Sequence, residues 1–174
     1  MDDAFLSKTY VLVVLIMFLV FAAVTFVVAD ITYLTTTPSA ANQTQTQIST
    51  IRQSVTPQSI FLNNFIASFL AVVPVAGIII FGRVWITTSQ TIGQLAYSYH
   101  VSPFLYVIGV YIPVGTIESM AYSVVAAEGL FLTYALFKGN ILERLRKQTW
   151  KSLILYFALL AAAAIVEATL IRGI

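Results

Sequence analysis

Three glutamates lie within long apolar stretches of the sequence, and the presence of ionisable side chains in such stretches needs an explanation. Glu118, Glu128 and Glu167 are each flanked mainly by apolar residues. An ionisable side chain at the middle of a bilayer costs about 2.5–3.5 kcal/mol on insertion scales, so it pairs with another group or lines a wet cavity. The three glutamates therefore predict either interhelical hydrogen bonds or a polar pathway, and we favour the hydrogen bonds.

Catalysis by these carboxylates is disfavoured by their spacing. A separation of ten residues places Glu118 and Glu128 about 280° apart around a helix, so they do not form a carboxylate pair. Ser119 follows Glu118 but faces another direction. No nucleotide-binding glycine motif and no nucleophile–base pair is present in the sequence. We therefore expect a protein that is not an enzyme.

The sequence also offers few ligands for a metal or a cofactor. It contains no cysteine and one histidine, His100. Thiolate metal sites, disulfides and two-histidine haem sites are therefore excluded. We expect no cofactor, and we expect His100, beside a predicted helix break, to lie at the surface.

The composition predicts an all-α integral membrane protein. The chain of 174 residues is 59% hydrophobic and 9% charged, whereas soluble domains carry roughly 25% charged residues. Such a chain has too few charges to cover a surface in water, so lipid must cover much of it. A run of 20 residues spans about 30 Å as a helix, which is the thickness of the hydrocarbon core.

The apolar runs predict a single domain with about five transmembrane helices. The predicted spans are 10–30, 60–82, an irregular 84–112, 114–137 and 153–171. A polar loop covers 32–57 and a basic loop covers 138–151. Pro74 predicts a kink in the second span, since proline removes a backbone donor. Pro113 divides the next long stretch and predicts a broken or re-entrant helix between Pro103 and Pro113.

The distribution of charge predicts the orientation in a cell membrane. Five of the nine Lys and Arg residues fall within 138–151. By the positive-inside rule this loop is cytoplasmic, the 32–57 loop is outside and the N-terminus is cytoplasmic. The basic cluster is thus an orientation signal and does not predict nucleic-acid binding. Asn42 begins a glycosylation sequon in the outer loop, and its use is left open.

Several residues are candidates for helix packing. Gly115, Ser119, Ser123 and Ala127 form a stripe of small residues that favours close helix contact. Asn63 and Asn64 open the second span and either cap it or donate hydrogen bonds across helices. We favour the cross-helix bond for one of them.

Three arginines lie near the ends of predicted spans. Arg52, Arg83 and Arg172 are candidate counter-ions for the buried glutamates. Each could equally be an anchor whose charge reaches the headgroups, and we favour that role.

The order of these features resembles the stage II sporulation protein M family of integral membrane proteins. The resemblance covers roughly residues 10–172 and rests on a few short motifs. The matching residues are Asn63, Asn64, Pro113, Gly115, Glu118, Glu167 and Ala168. Val114 departs from the family pattern, which has histidine there. The resemblance implies a membrane scaffold in spore formers, and some members resemble permease halves that work with a separate ATPase.

We expect a non-enzymatic scaffold or assembly subunit whose partners are lipid and other membrane proteins or further copies of the chain. One alternative is a permease subunit that uses the intramembrane glutamates. Another is an accessory subunit of a large respiratory-type complex. The first alternative predicts a water-accessible Glu118 or Glu128, and the second predicts co-purification with cofactor-bearing chains.

Overall fold

The computed structural model describes residues 6–52 and 54–173, and for residues 110, 111, 113, 114 and 171–173 it describes the backbone alone. Every regular element in these residues is helical, as predicted. The elements in chain order are α1 (Lys8–Thr35), α2 (Pro38–Arg52), α3 (Pro57–Ser68) with a 3₁₀ segment (Phe69–Val72), α4 (Ala76–Ser98), α5 (Pro103–Tyr106) with a π-helical segment (Val107–Tyr111), α6 (Ile112–Lys138), α7 (Ile141–Arg144) with a second π-helical segment (Leu145–Thr149), and α8 (Trp150–Gly173).

Capping residues mark the start of several of these helices. The Ser7 hydroxyl accepts a hydrogen bond from the Tyr10 amide at the start of α1, and Ser102 caps α5 in the same way. Thr56 and Ser59 form a capping box at the start of α3. Such side chains satisfy amide groups that the first helical turn leaves without partners.

Helix ends are marked by residues in the left-handed region. Gly139, at φ 74°, ends α6, and the Asn140 amide donates to the Ala135 carbonyl as in a Schellman motif. His100, at φ 55°, ends α4 in the same conformation. Each turn reverses the direction of the chain. The turn at Gly139 makes α6 and α8 an antiparallel hairpin.

Helix α6 is the centre of the bundle, because every residue from 121 to 129 is buried. Many of these residues are small, which lets neighbouring backbones approach closely. A Cβ on Gly129 would lie 2.0 Å from the Ala71 carbonyl oxygen, so the 3₁₀ segment contacts the α6 backbone directly. Helices α1, α4 and α8 pack around the rest of α6.

Three helices among the described residues are long and apolar enough to cross a membrane. They are Lys8–Thr35, Gly115–Lys138 and Ile141–Leu170. The chain is therefore a multi-pass membrane protein. Helix α4 has 23 residues but is more polar than these three.

Ring contacts give the directions of the helices. Phe21 on α1 lies 5.3 Å from Phe81 and 5.0 Å from Trp85 between ring centroids, and Tyr33 lies 5.7 Å from Tyr97. Along the contact, residue numbers increase in the same direction on both helices, so α1 and α4 are parallel.

Helix α3 runs the other way. Ile60 packs against Ala164, while Phe65 lies 5.6 Å from Phe157 on α8. Along the contact, residue numbers increase on one helix while they decrease on the other, so α3 and α8 are antiparallel.

Helix α8 is antiparallel to α6, and so is α1, since Tyr10 stacks on Phe131 while Phe21 and Tyr122 both contact Phe81. Because α4 is parallel to α1, the segments 57–72, 76–98, 103–138 and 141–173 alternate in direction.

The structure differs from the predicted spans in four places. The predicted basic loop 138–151 is helical from Ile141 onward and continues into α8 without a loop. The predicted span 60–82 is two helices, because the chain reverses at residues 73–75, where Val75 adopts φ 64°. The predicted irregular stretch 84–112 begins as regular helix α4. Near Pro113, helix α6 continues through the proline, and the irregularity is the π-helical segment just before it.

The polar segment 32–57, predicted as a loop, contains helix α2. The sequence shows no apolar stripe there because α2 is held against α4 by hydrogen bonds between polar groups. Ser98 Oγ donates to the Ala41 carbonyl oxygen at 3.1 Å, and Thr44 Oγ1 donates to Gln94 Oε1 at 2.7 Å. Asn42 is exposed on this helix.

Candidate functional site

The α6–α8 hairpin encloses a buried ion pair. Arg144 Nε donates to Glu128 Oε1 at 3.0 Å, and Arg144 Nη2 donates to Glu128 Oε2 at 2.9 Å. Thr149 Oγ1 and Ser152 Oγ donate to the same carboxylate at 2.8 and 2.7 Å. The Glu128 side chain has no exposed surface. Both of its oxygens are therefore satisfied by protein donors.

Helix α1 completes this cluster. Tyr10 Oη donates to Ser152 Oγ at 2.9 Å, and the Tyr10 ring stacks on Phe131 at 5.5 Å between centroids. The Arg144 guanidinium lies 4.5 Å from the centroid of the same Phe131 ring. We call residues Tyr10, Glu128, Arg144, Thr149 and Ser152 the lower cluster. It joins α1, α6 and the start of α8 through charge-assisted bonds.

The counter-ion of Glu128 was missed by the sequence analysis. Arg144 lies within the predicted cytoplasmic basic loop, and the sequence offers Arg52, Arg83 and Arg172 as the candidate counter-ions. Hairpin geometry offers a signal, because residues equidistant from the Gly139 turn lie side by side. Glu128, eleven residues before Gly139, then falls beside Trp150, near Thr149 and Ser152 and within reach of a long side chain one or two turns nearer the bend.

A second polar cluster lies about 15 Å further along α6, ten residues towards its N-terminus. Tyr122 Oη donates a hydrogen bond to Glu118 Oε1, one turn away on the same helix. The Asn64 amide of α3 also donates to the Glu118 carboxylate. Glu167 of α8 lies close enough for its charge to act on Glu118. We call Asn64, Glu118, Tyr122 and Glu167 the upper cluster.

The upper cluster is more open than the lower one. Glu118, Glu167 and Asn64 are half-buried, whereas Tyr122 is buried. Among the described residues, the exposed Arg52 at the end of α2 acts electrostatically on Glu167. Two carboxylates therefore meet between α3, α6 and α8 without a buried arginine.

A buried pair of hydroxyls lies between the two clusters. Ser68 Oγ and Tyr156 Oη are 2.8 Å apart, and both residues are buried. Tyr156 on α8 is one turn beyond Ser152 of the lower cluster. Polar groups of different helices thus meet at three successive levels of the bundle.

The structure brings some of the remaining predicted residues into the interior and leaves others outside. Gly115, Ser119, Ser123 and Ala127 are all buried on α6. Asn63 is exposed, and its amide donates to Asn64 Oδ1 at 3.4 Å. Among the described contacts, Asn63 therefore bonds to its neighbour and not across to another helix.

The other predicted positions lie at turns or on the surface. Pro74 is in the turn between the 3₁₀ segment and α4, and His100 is exposed. Arg83 is exposed on α4 and forms no ion pair with a glutamate among the described residues. The side chains of Pro113 and Arg172 lie outside the described part of the chain. No group of three metal-ligating residues occurs within the described residues.

A comparison with protein families gives a match over most of the chain. The family model described as Stage II sporulation protein M matches residues 11–170. No curated protein and no solved structure matches the chain. The match covers every residue of the upper cluster and all of the lower cluster except Tyr10 at its edge.

Proposed function

The chain belongs to the stage II sporulation protein M family, and from that premise we propose that it is a non-enzymatic subunit that holds partner proteins together in the membrane. Its described loops are short, so little of the chain is available for chemistry in water. The family places the protein in the membrane, and the proposal adds that its task is assembly.

The observation that supports assembly over transport is the closed lower cluster. Glu128 has no exposed surface, and its oxygens accept bonds from Arg144, Thr149 and Ser152. A carboxylate that carries an ion must exchange its partners during each cycle. Breaking a buried ion pair costs about 3–5 kcal/mol, so this glutamate is better suited to holding helices.

We further propose five membrane crossings, at 8–35, 57–72, 76–98, 103–138 and 141–170. The alternating directions of these segments support this count. The bond from Tyr10 to Ser152 puts the start of α1 on the side of the basic 138–151 segment. That segment supports a cytoplasmic N-terminus and an outer position for α2.

The second candidate function is a permease subunit, and the upper cluster favours it. Asn64, Glu118 and Glu167 come from three different helices and are half-buried. Half-buried carboxylates between helices can receive a cation or a proton from water. In this alternative, Glu118 and Glu167 are the groups that bind the transported species.

Purification of the full chain from its native membranes in mild detergent tests the proposal. We expect other membrane proteins to co-purify at a fixed stoichiometry. A homo-oligomer without other chains would overturn the assembly function. Cofactor-bearing chains in the complex would assign the protein to a respiratory-type assembly.

Glutamine variants separate assembly from transport. Glu118→Gln and Glu167→Gln keep the size of each side chain and remove its charge. If the function is assembly, each variant should support the same transport flux as the wild type, provided that the partner protein remains bound. Loss of flux with partner binding intact would favour the permease subunit. Glu143→Gln is the matched control, since Glu143 is exposed and pairs only with Lys147 among the described residues.

A further inference from the structure

An apolar cleft lies at the end of the bundle that carries the basic residues. Its volume is about 270 Å³, and it lies between the turn after the 3₁₀ segment on one side and α7 and α8 on the other. Val73 forms the first wall, Ile141, Leu145 and Leu153 form the second, and Leu132 of α6 closes the inner side. Val73 and Leu145 are exposed, so the cleft opens to the outside of the bundle.

Contacts on both sides hold the walls of the cleft in place. On the first side, the Val75 amide donates to Thr133 Oγ1 at 2.8 Å, which ties the turn to α6. On the second side, the buried ion pair between Arg144 and Glu128 holds the start of α8 against α6. The cleft is therefore built into the fold of the bundle.

The cleft runs from the headgroup layer of the membrane towards the hydrocarbon core. The helical segment Ile141–Leu170 has 30 residues and is about 45 Å long, whereas the hydrocarbon core is about 30 Å thick. The basic residues of this segment lie at its start, between Arg144 and Lys151, so its first turns extend into the headgroups. The Leu145 end of the cleft is then at headgroup level, and the Leu153 end, about 12 Å further along the axis, is at the hydrocarbon.

Positive charge that no described residue neutralises lies at the headgroup end of the cleft. Arg146 follows Leu145 in the sequence, is exposed, and forms no ion pair with any described residue. The acidic residue of this segment, Glu143, already accepts a hydrogen bond from Lys147 at 2.8 Å. An exposed guanidinium at this level is suited to phosphate oxygens, which it binds through paired N–H donors.

We propose that the apolar cleft binds an anionic phospholipid, with one acyl chain between Val73 and Leu153 and the phosphate group on Arg146. Lys138 and Lys151, which form no ion pair with any described residue, add to the attraction for the headgroup. The proposal goes beyond the assembly function and does not depend on it. It rests on α8 crossing the membrane with its basic end at the surface.

Two other occupants fit the cleft less well. A zwitterionic phospholipid brings an ammonium group beside its phosphate, and the carboxylate of this segment that would attract the ammonium group, Glu143, is already paired with Lys147. A membrane-spanning helix of another protein is about 10–12 Å wide with its side chains, so it would cover the mouth of the cleft and not enter it. A single acyl chain is narrow enough to enter.

Quenching of tryptophan fluorescence by brominated lipids tests the proposal. Trp150, next to Thr149 of the cleft, is 52% exposed, whereas Trp85 is buried. The full chain is reconstituted in phosphatidylcholine vesicles that contain either phosphatidylglycerol or phosphatidylcholine with brominated acyl chains. We expect brominated phosphatidylglycerol to quench half-maximally at a mole fraction at least about fivefold lower, which is the contribution of one basic residue near a membrane surface. Equal quenching by the two lipids would overturn the proposal.

Two pairs of variants separate this site from a general attraction to basic residues. Arg146→Gln should lower the preference about fivefold, while Arg52→Gln, at an exposed arginine at the end of α2, should leave it unchanged. Val73→Phe fills the mouth of the cleft and should remove most of the preference. Leu142→Phe, exposed on α7 outside the cleft, should keep it. A preference that survives either Arg146→Gln or Val73→Phe in full would overturn the proposal.

Two further measurements identify a different occupant. We expect inorganic phosphate at the concentration of the lipid to leave the quenching unchanged, and displacement of the brominated lipid would overturn the proposal in favour of a free anion. In native membranes, photo-cross-linking from a maleimide probe on Leu145→Cys should reach lipid. Cross-linking to a co-purifying protein would overturn the lipid site and leave the assembly function standing, whereas absence of any co-purifying protein would refute the assembly function alone.

Discussion

Arg144 and Glu128 form a two-point contact inside the bundle, with Nε 3.0 Å from one carboxylate oxygen and Nη2 2.9 Å from the other. The two residues are 16 positions apart and lie on opposite arms of the α6–α8 hairpin. Their contact fixes the register of the two arms, because a one-residue shift of either helix rotates its side chain by about 100°.

The first prediction concerns this ion pair. Arg144→Met leaves the Glu128 charge buried without its partner, so the free energy of unfolding should fall by about 3–5 kcal/mol. The double variant Glu128→Gln/Arg144→Met should recover most of the loss. Unfolding in mixed micelles, followed by circular dichroism, measures both changes. An unchanged stability in the single variant would show that the pair does not hold the hairpin. Lys147→Gln, in an exposed pair, is the control and should cause no measurable change.

The second prediction concerns the close approach at Gly129. A Cβ there would lie 2.0 Å from the Ala71 carbonyl oxygen, so Gly129→Ala must displace the 3₁₀ segment. We expect a loss of about 1–3 kcal/mol, typical of overpacking. Gly82→Ala is the matched control, because a Cβ at Gly82 meets nothing within 4 Å. Equal stability of the two variants in the same unfolding assay would refute the contact.

The third prediction concerns the upper cluster. Tyr122→Phe removes the hydroxyl that donates to Glu118 and should lower the free energy of unfolding by about 1–3 kcal/mol. Tyr134→Phe, at an exposed tyrosine of the same helix, should have little effect. Combining Tyr122→Phe with Glu118→Gln should give less than the sum of the two single losses. Additive losses would mean that the two side chains act separately.

The fourth prediction concerns the five crossings. Single cysteines at Thr46 and His100 should react with an impermeant maleimide in intact cells. Cysteines at Val73 and Lys147 should react only after the membrane is opened. All four positions are exposed in the structure. Labelling of Val73→Cys in intact cells would show that residues 57–72 do not cross the membrane.

The helical boundaries were predictable where a local signal exists. The first span, the end of α6 near residue 138 and the apolar part of α8 follow from the apolar runs and the charges that flank them. The reversal at 73–75 was not predictable, because apolar residues continue through it from Phe69 to Phe81. Composition does not distinguish one kinked helix from two antiparallel ones. Contact of the 3₁₀ segment with Gly129 and Gly77 decides the reversal, and that contact depends on distant residues.

The sequence by itself determined that this is a membrane protein and that three glutamates lie within its long apolar stretches, since both follow from composition and the length of the apolar runs. Only the tertiary structure decided what each glutamate does. Glu128 is fully buried in an ion pair with Arg144, whereas Glu118 and Glu167 meet near Asn64 and remain half-buried. The physical reason is that pairing depends on the rotation and register of whole helices, and packing across the bundle sets both.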